Sequence, residues 1–244
     1  MIRTAVFCLS LLVPSVAVAP LCASTVAVPV PGDEKVLKAI DAWLKAYRAG
    51  KIDFSSREDV GKNGFAEKFG VLPKGLIGAV TPRRELEILL EQAVKLETAD
   101  AAEAVLTVAA IGLDHGSVKY KPNMEPFTVR AIGEQWLKQL SKPAATDYIA
   151  QVARGEAKTD KAYGAGLRAA AIRLLGSHRD DSARQLCEVQ LRAAELPLRL
   201  AAAEALGALG DERSGEALAG ALASERSDVV IGAIADAMRV CFGP

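Results

Sequence analysis

Apolar residues return along this chain with a helical period, and polar or glycine-rich intervals separate the runs. Val36, Leu37, Ile40, Trp43, Leu44 and Tyr47 form one stripe, so a helix is expected there until Ala49-Gly50 ends it. Residues 51–80 are glycine-rich and lack a strong period. They read as a structured loop region with at most a short helix near Phe65 to Phe69. Thr81-Pro82 supplies an N-cap and a proline at the first helical position, followed by the stripe Leu86, Leu89, Leu90, Ala93 and Val94. A second helix is expected from Asp100 to Leu113, with Asp100 and Glu103 at capping-box spacing. Gly116 and Pro122 make Asp114 to Glu125 a loop, and helical periodicity resumes at Pro126 and runs nearly to the end.

The later helices repeat one another. Leu167-Arg-Ala-Ala-Ala-Ile-Arg-Leu-Leu-Gly176 lies over Leu198-Arg-Leu-Ala-Ala-Ala-Glu-Ala-Leu-Gly207 at a shift of 31, and Asp180 falls over Asp211. A further shift of 31 sets Leu198 over Val229 more weakly. Val129-Arg130-Ala131-Ile132 has the same start 38 residues before Leu167, the extra length fitting an insertion near Arg154 to Tyr163. Each unit reads as a helix, a turn at Gly-x-x-x-Asp, and a second helix. One such pair cannot bury its own apolar stripe, but stacked neighbours form a continuous core. The expected fold class is therefore all-α: an α-solenoid of helix pairs behind an N-terminal helix and loop cap.

At Leu198 to Asp211 the chain resembles a HEAT repeat of the short bacterial type also found in phycobilin lyases. The resemblance is closest over 163–224, extends to 126–155 and 227–241, and fades over 81–113. It implies a module that binds other macromolecules along an extended surface, and it names no partner. It also implies a ladder in which a turn Asp meets a helix Arg along the stack. Arg130, Arg168 and Arg199 occupy matching positions, as do Asp180 and Asp211. The expectation is that Asp180 and Asp211 cap second helices and accept hydrogen bonds from arginines of neighbouring repeats. Val230 replaces the arginine in the last repeat, where the ladder should stop.

Met1-Ile2-Arg3, the apolar run Ala5 to Val13 and the small residues up to Ala23 describe a secretory signal cleaved after Ala23. The prolines at 14, 20, 29 and 31 disfavour an uncleaved spanning helix. The expected organisation is a signal at 1–23, an extended linker at 24–33, the helix and loop region at 34–80, and the solenoid at 81–244. Localisation would then be periplasmic or extracellular. Of the chain's 4 cysteines, Cys187 and Cys241 outlast cleavage. They fall two repeats apart, beyond disulfide reach, and should be free thiols.

Lys+Arg and Asp+Glu both number 30, a balance that disfavours a nucleic-acid or anionic-membrane binder. The 2 histidines, His115 and His178, read as helix-end residues; no paired-Cys motif accompanies them to suggest zinc. Asp114-His115-Gly-Ser117 lacks a nucleophile elbow. Gly164-Ala-Gly166-Leu-Arg-Ala169 follows a polar segment rather than a buried strand, so it is a helix entry and not a dinucleotide site. Glu85, Glu87 and Glu91 read as helix-face charges. No catalytic, cofactor-binding or metal residue is expected.

Partner contact is expected from second-helix positions outside the apolar stripe: Tyr148, Gln151, Arg184, Glu188 and Glu216. The resulting reading is an exported, monomeric scaffold for a protein partner, with end-to-end association through the last helix as an open possibility. Two alternatives stand beside it. One is a lyase-like or accessory enzyme factor, favoured by a deep groove with Tyr and charged residues. The other is a structural segment of a larger envelope assembly.

Overall fold

Proline and left-handed residues punctuate the helices. A computed structural model describes residues 33–54, 64–71, 81–113, 121–157, 164–177 and 181–243. Among these lie α1 (Asp33–Arg48), α2 (Phe65–Lys68), α3 (Pro82–Leu96), α4 (Ala99–Ala109), α5 (Pro126–Leu137) and α6 (Pro143–Arg154). They are followed by α7 (Gly164–Ser177), α8 (Asp181–Gln190), α9 (Leu196–Leu209), α10 (Gly215–Ser224) and α11 (Asp228–Phe242). Prolines open α3, α5 and α6, where a missing N–H costs nothing. Gly155 and Gly210 close α6 and α9 in the left-handed region, which a glycine enters without a Cβ clash. The proposed signal, the linker up to residue 32, His115, His178 and Asp180 lie outside the described residues, and Asp33, expected to end the linker, opens α1.

The helices stack in consecutive pairs, as an α-solenoid requires. α3, α5, α7, α9 and α11 form one layer, with α7 against α9 and α9 against α11 as its closest seams. α4, α6, α8 and α10 form the other, each packing on the first helix of the next pair. α1 lies across α3 and α4. Its Trp43 stacks on Tyr47 at 5.2 Å between ring centroids, and Phe54 meets both rings edge-on. The Tyr47 hydroxyl donates to the Met124 carbonyl at 2.6 Å, and Phe54 N–H donates to Asn123 at 3.1 Å. These bonds fasten the N-terminal helix to the 3-10 turn Pro122–Met124 before α5.

Three local expectations need correction. The cap of α4 is Thr98, whose hydroxyl accepts from Ala101 N–H at 3.2 Å. Glu97 ends α3 in the left-handed region, so the chain reverses within two residues and Asp100 falls inside the first turn. Glu85 is not a surface charge: it is 7% exposed, and its carboxylate accepts from Ala66 N–H at 2.9 Å. That bond satisfies an orphan donor at the start of α2 and ties the loop region to α3. Burial raises the Glu85 pKa, and the backbone bonds from Ala66 and Phe65 oppose the rise.

Gly176 and Gly207 do not start turns; both lie inside helices. A Cβ on Gly176 would stand 2.6 Å from Ala205 Cα, and one on Gly207 would stand 3.2 Å from Ala237 Cα. Gly133 makes an equally close approach, its Cβ position lying 2.4 Å from Ala109 N. These glycines let neighbouring helix backbones touch, and the turn after α9 is made by Gly210 instead.

Candidate functional site

Two hollows lie on the first-helix layer. Ala170, Arg173, Leu174 and Ser177 follow i, i+3, i+4, i+7 spacing on α7, so they share one face. With Glu134, Leu137 and Lys138 of α5 and Glu204, Ala205 and Ala208 of α9 they enclose about 250 Å³. Leu175, on the opposite side of α7, lines a separate hollow with α6 and α8. A second depression of about 540 Å³ lies between α9 and α11, floored by Ala203, Gly207, Gly232 and Ala233. Glu204 borders both, so the two hollows adjoin on either side of α9 as a groove in two parts along the first-helix layer. Small residues at the seams keep its floor shallow.

Charged groups line this groove in a row. Arg173 pairs with Glu204 across the α7–α9 seam, a spacing of one repeat. Its Nη1 is buried without a hydrogen-bond acceptor among the described residues. Arg130 and Glu134 pair at 3.6 Å on α5. None of these residues except Arg130 is singled out by reading the sequence. The signal was present: Arg173 and Glu204 occupy the same position of successive repeats with opposite charge.

The second-helix residues expected to meet a partner divide into two sets. Gln151 and Glu216 are exposed. Tyr148 is half-buried against the core, and burial, then the Glu103 and Asp100 carboxylates, hold its pKa well above the usual phenol value. Arg184 and Glu188 pair with each other at 2.6 Å. Arg184 also approaches Asp211 at 3.8 Å, and Glu188 accepts from Ser214 at 3.2 Å. Those two side chains join α8 to the turn before α10.

The ladder takes a different form from the expected one. Asp211 caps the 3-10 turn Glu212–Ser214 by accepting from Arg213 N–H at 2.9 Å, and the Arg213 guanidinium bridges Asp211 and Asp181. The Arg213 side chain, then its backbone N–H, hold the Asp211 carboxyl down to about 2. Arg168 and Arg199 stand near the starts of α7 and α9, and Arg199 is a helix length away from Asp211. They therefore reach the ends of the antiparallel second helices. Arg168 donates to Gln190 at 3.3 Å; Arg199 pairs with Glu225 at 2.7 Å and donates to the Ala193 and Ala194 carbonyls. Glu225 also accepts from Arg226 and Ser227 N–H at the start of α11. Arg199, followed by those backbone donors, holds its pKa at about 2 against the effect of burial. Arg130 pairs within its own helix.

The repeated helix, the glycine seam and the 31-residue register converge on one family. The family model for HEAT repeats matches residues 164–239. That stretch is a HEAT-repeat array. No curated protein matches the chain. Cys187 within the array and Cys241 just after it are free thiols, and burial pushes the Cys187 pKa up to about 12, which keeps it unreactive at neutral pH. Among the described residues no cluster of three or more His, Cys, Asp or Glu could hold a metal ion, and no helix is long and apolar enough to cross a membrane.

Proposed function

We propose that this protein is an exported, non-catalytic scaffold that holds a protein partner in the groove along its first helices. HEAT repeats commonly mediate protein interactions, and the array here carries the matching extended surface. The observation that carries the reading is the pair of adjoining hollows on the first-helix layer, both bordered by Glu204. An extended segment laid there would cover alanine and glycine floors and meet charged side chains at the rim. Export rests on residues 1–23 and no feature of the described helices bears on it. Second-helix contacts at Gln151 and Glu216 are a secondary surface, since Arg184 and Glu188 are already engaged within the stack.

The lyase-like alternative draws support from a different place. α1, α4 and Leu167 enclose about 370 Å³ with Leu37, Ile40 and Leu44 beside Asp41, Asp100 and Glu103. Native mass spectrometry of the purified protein separates the two readings. A stoichiometric small molecule retained by the protein would move function to that groove.

Ser177 and Ala208 are exposed at the first-helix groove, so Ser177→Trp and Ala208→Trp fill it without touching the core. Crosslinking capture from the exporting compartment should fall by about tenfold or more in either variant, a change of roughly 1.4 kcal/mol. Glu216→Trp, on the other layer, should leave capture unchanged. The opposite pattern would place the partner on the second helices.

A further inference from the structure

The slot between α1 and α4 shares no lining residue with either first-helix hollow. Ile40 and Leu44 of α1 are buried at its floor, and Leu37 and Ala104 are half-buried at its wall. Its lining on α1 runs from Leu37 to Arg48, about 16 Å of helix. On α4, Asp100 is exposed and Glu103 half-buried, and their i, i+3 spacing sets both carboxylates on the side facing the slot.

Neither of these carboxylates has an ion-pair partner among the described residues. They differ in this from Glu188, Glu204 and Glu225, each of which meets an arginine. Asp41, beside the slot, is taken up by Lys45 at 2.7 Å. Arg48 is the one basic side chain on the described lining, and it has contacts of its own. The nearby Tyr148 phenol keeps its proton and cannot neutralise the two acids.

The composition of the slot selects among cations. A hard metal ion takes roughly six oxygen ligands, and an aliphatic floor offers it none. An organic cation on a hydrocarbon stem suits both parts. Lysine and arginine have that form, since the stem lies on apolar surface while the charged head reaches beyond it. The length of the slot exceeds one side chain and matches about five residues of extended chain at ~3.3 Å each.

We propose that this slot docks a short extended segment of a partner protein in which one lysine or arginine is flanked by aliphatic residues. The aliphatic neighbours pack on Leu37 and Ala104, and the cation sits between Asp100 and Glu103. This contact is separate from the first-helix groove and does not rest on it.

A phage-displayed library of random heptapeptides, panned on the full chain in the form its producing cell leaves it, tests the assignment. Among the enriched peptides a class should carry lysine or arginine beside aliphatic residues. For that class, the Asp100→Asn/Glu103→Gln double variant should raise the dissociation constant in fluorescence anisotropy by about tenfold or more, as loss of an interfacial charge pair does. Norleucine in place of the basic residue of the peptide should weaken binding to a similar degree. Both protein substitutions keep side-chain size and remove charge, and an unchanged circular dichroism spectrum checks folding. Ser177→Trp should leave this class bound, so the slot and the first-helix groove fail separately. No enrichment over background overturns the proposal, as do enriched peptides none of which needs the two acids. Acid-dependent peptides that lack lysine and arginine overturn it too.

Discussion

Glu225 is a side chain whose chemistry reads out directly in solution. Its folded pKa is about 2 against an ordinary value of 4.5, with Arg199 as the main cause. Between those values the unfolded chain binds more protons than the folded one, so stability rises with pH across that window. The stabilisation is fully present above about pH 4.5 and is lost as pH falls toward 2. Denaturant unfolding from pH 2 to 7 should show this slope, and Glu225→Gln should flatten it and lower stability at pH 7. An unchanged slope would mean that the Arg199 bridge is not maintained in solution. The glycines give a second contrast. Gly176→Ala forces a Cβ into the Ala205 backbone and should cost about 1–3 kcal/mol by overpacking. Gly232→Ala, with nothing within 4 Å, should instead stabilise α11 by about 1 kcal/mol. Thermal melts of the two variants should shift in opposite directions.

At the scale of elements, the apolar periods located the long helices because each stripe must face its neighbours. The short helix near Phe65 and the Thr81-Pro82 start were also legible, since local chemistry alone sets them. Features that depend on a neighbouring element were not. Gly176 and Gly207 looked like turn glycines because a single sequence does not show the helix that lies against them. Glu85 looked like surface because the α2 backbone that needs its carboxylate is nineteen residues away. The ladder placed the right residue types in the wrong pairs: a first-turn arginine meets the far end of its partner helix, and the turn Asp is served by Arg213 and Arg184. The N-terminal helix adds a prediction at this scale. Tyr47→Phe keeps the aromatic stack and removes the hydroxyl that bonds Met124, so it should lower stability by about 1 kcal/mol in denaturant titration. No change would show that α1 is held by ring packing alone.

For the whole molecule, the stacking of helix pairs fixes which surfaces are free. Burying each apolar stripe on the next pair engages Arg184 and Glu188 inside the array and leaves the outer side of the first helices open as a groove. The architecture was legible because the 31-residue register repeats a packing requirement. The first-helix groove was not, because its shape depends on how closely the first helices approach, which glycine and alanine decide in three dimensions. Site-specific photocrosslinking measures that choice of face. A photoreactive residue at Ser177 or Ala208 should yield a protein adduct in the producing cell, while the same residue at Gln151 or Glu216 should yield little. Adducts confined to Gln151 and Glu216 would contradict the account and return the partner to the second helices.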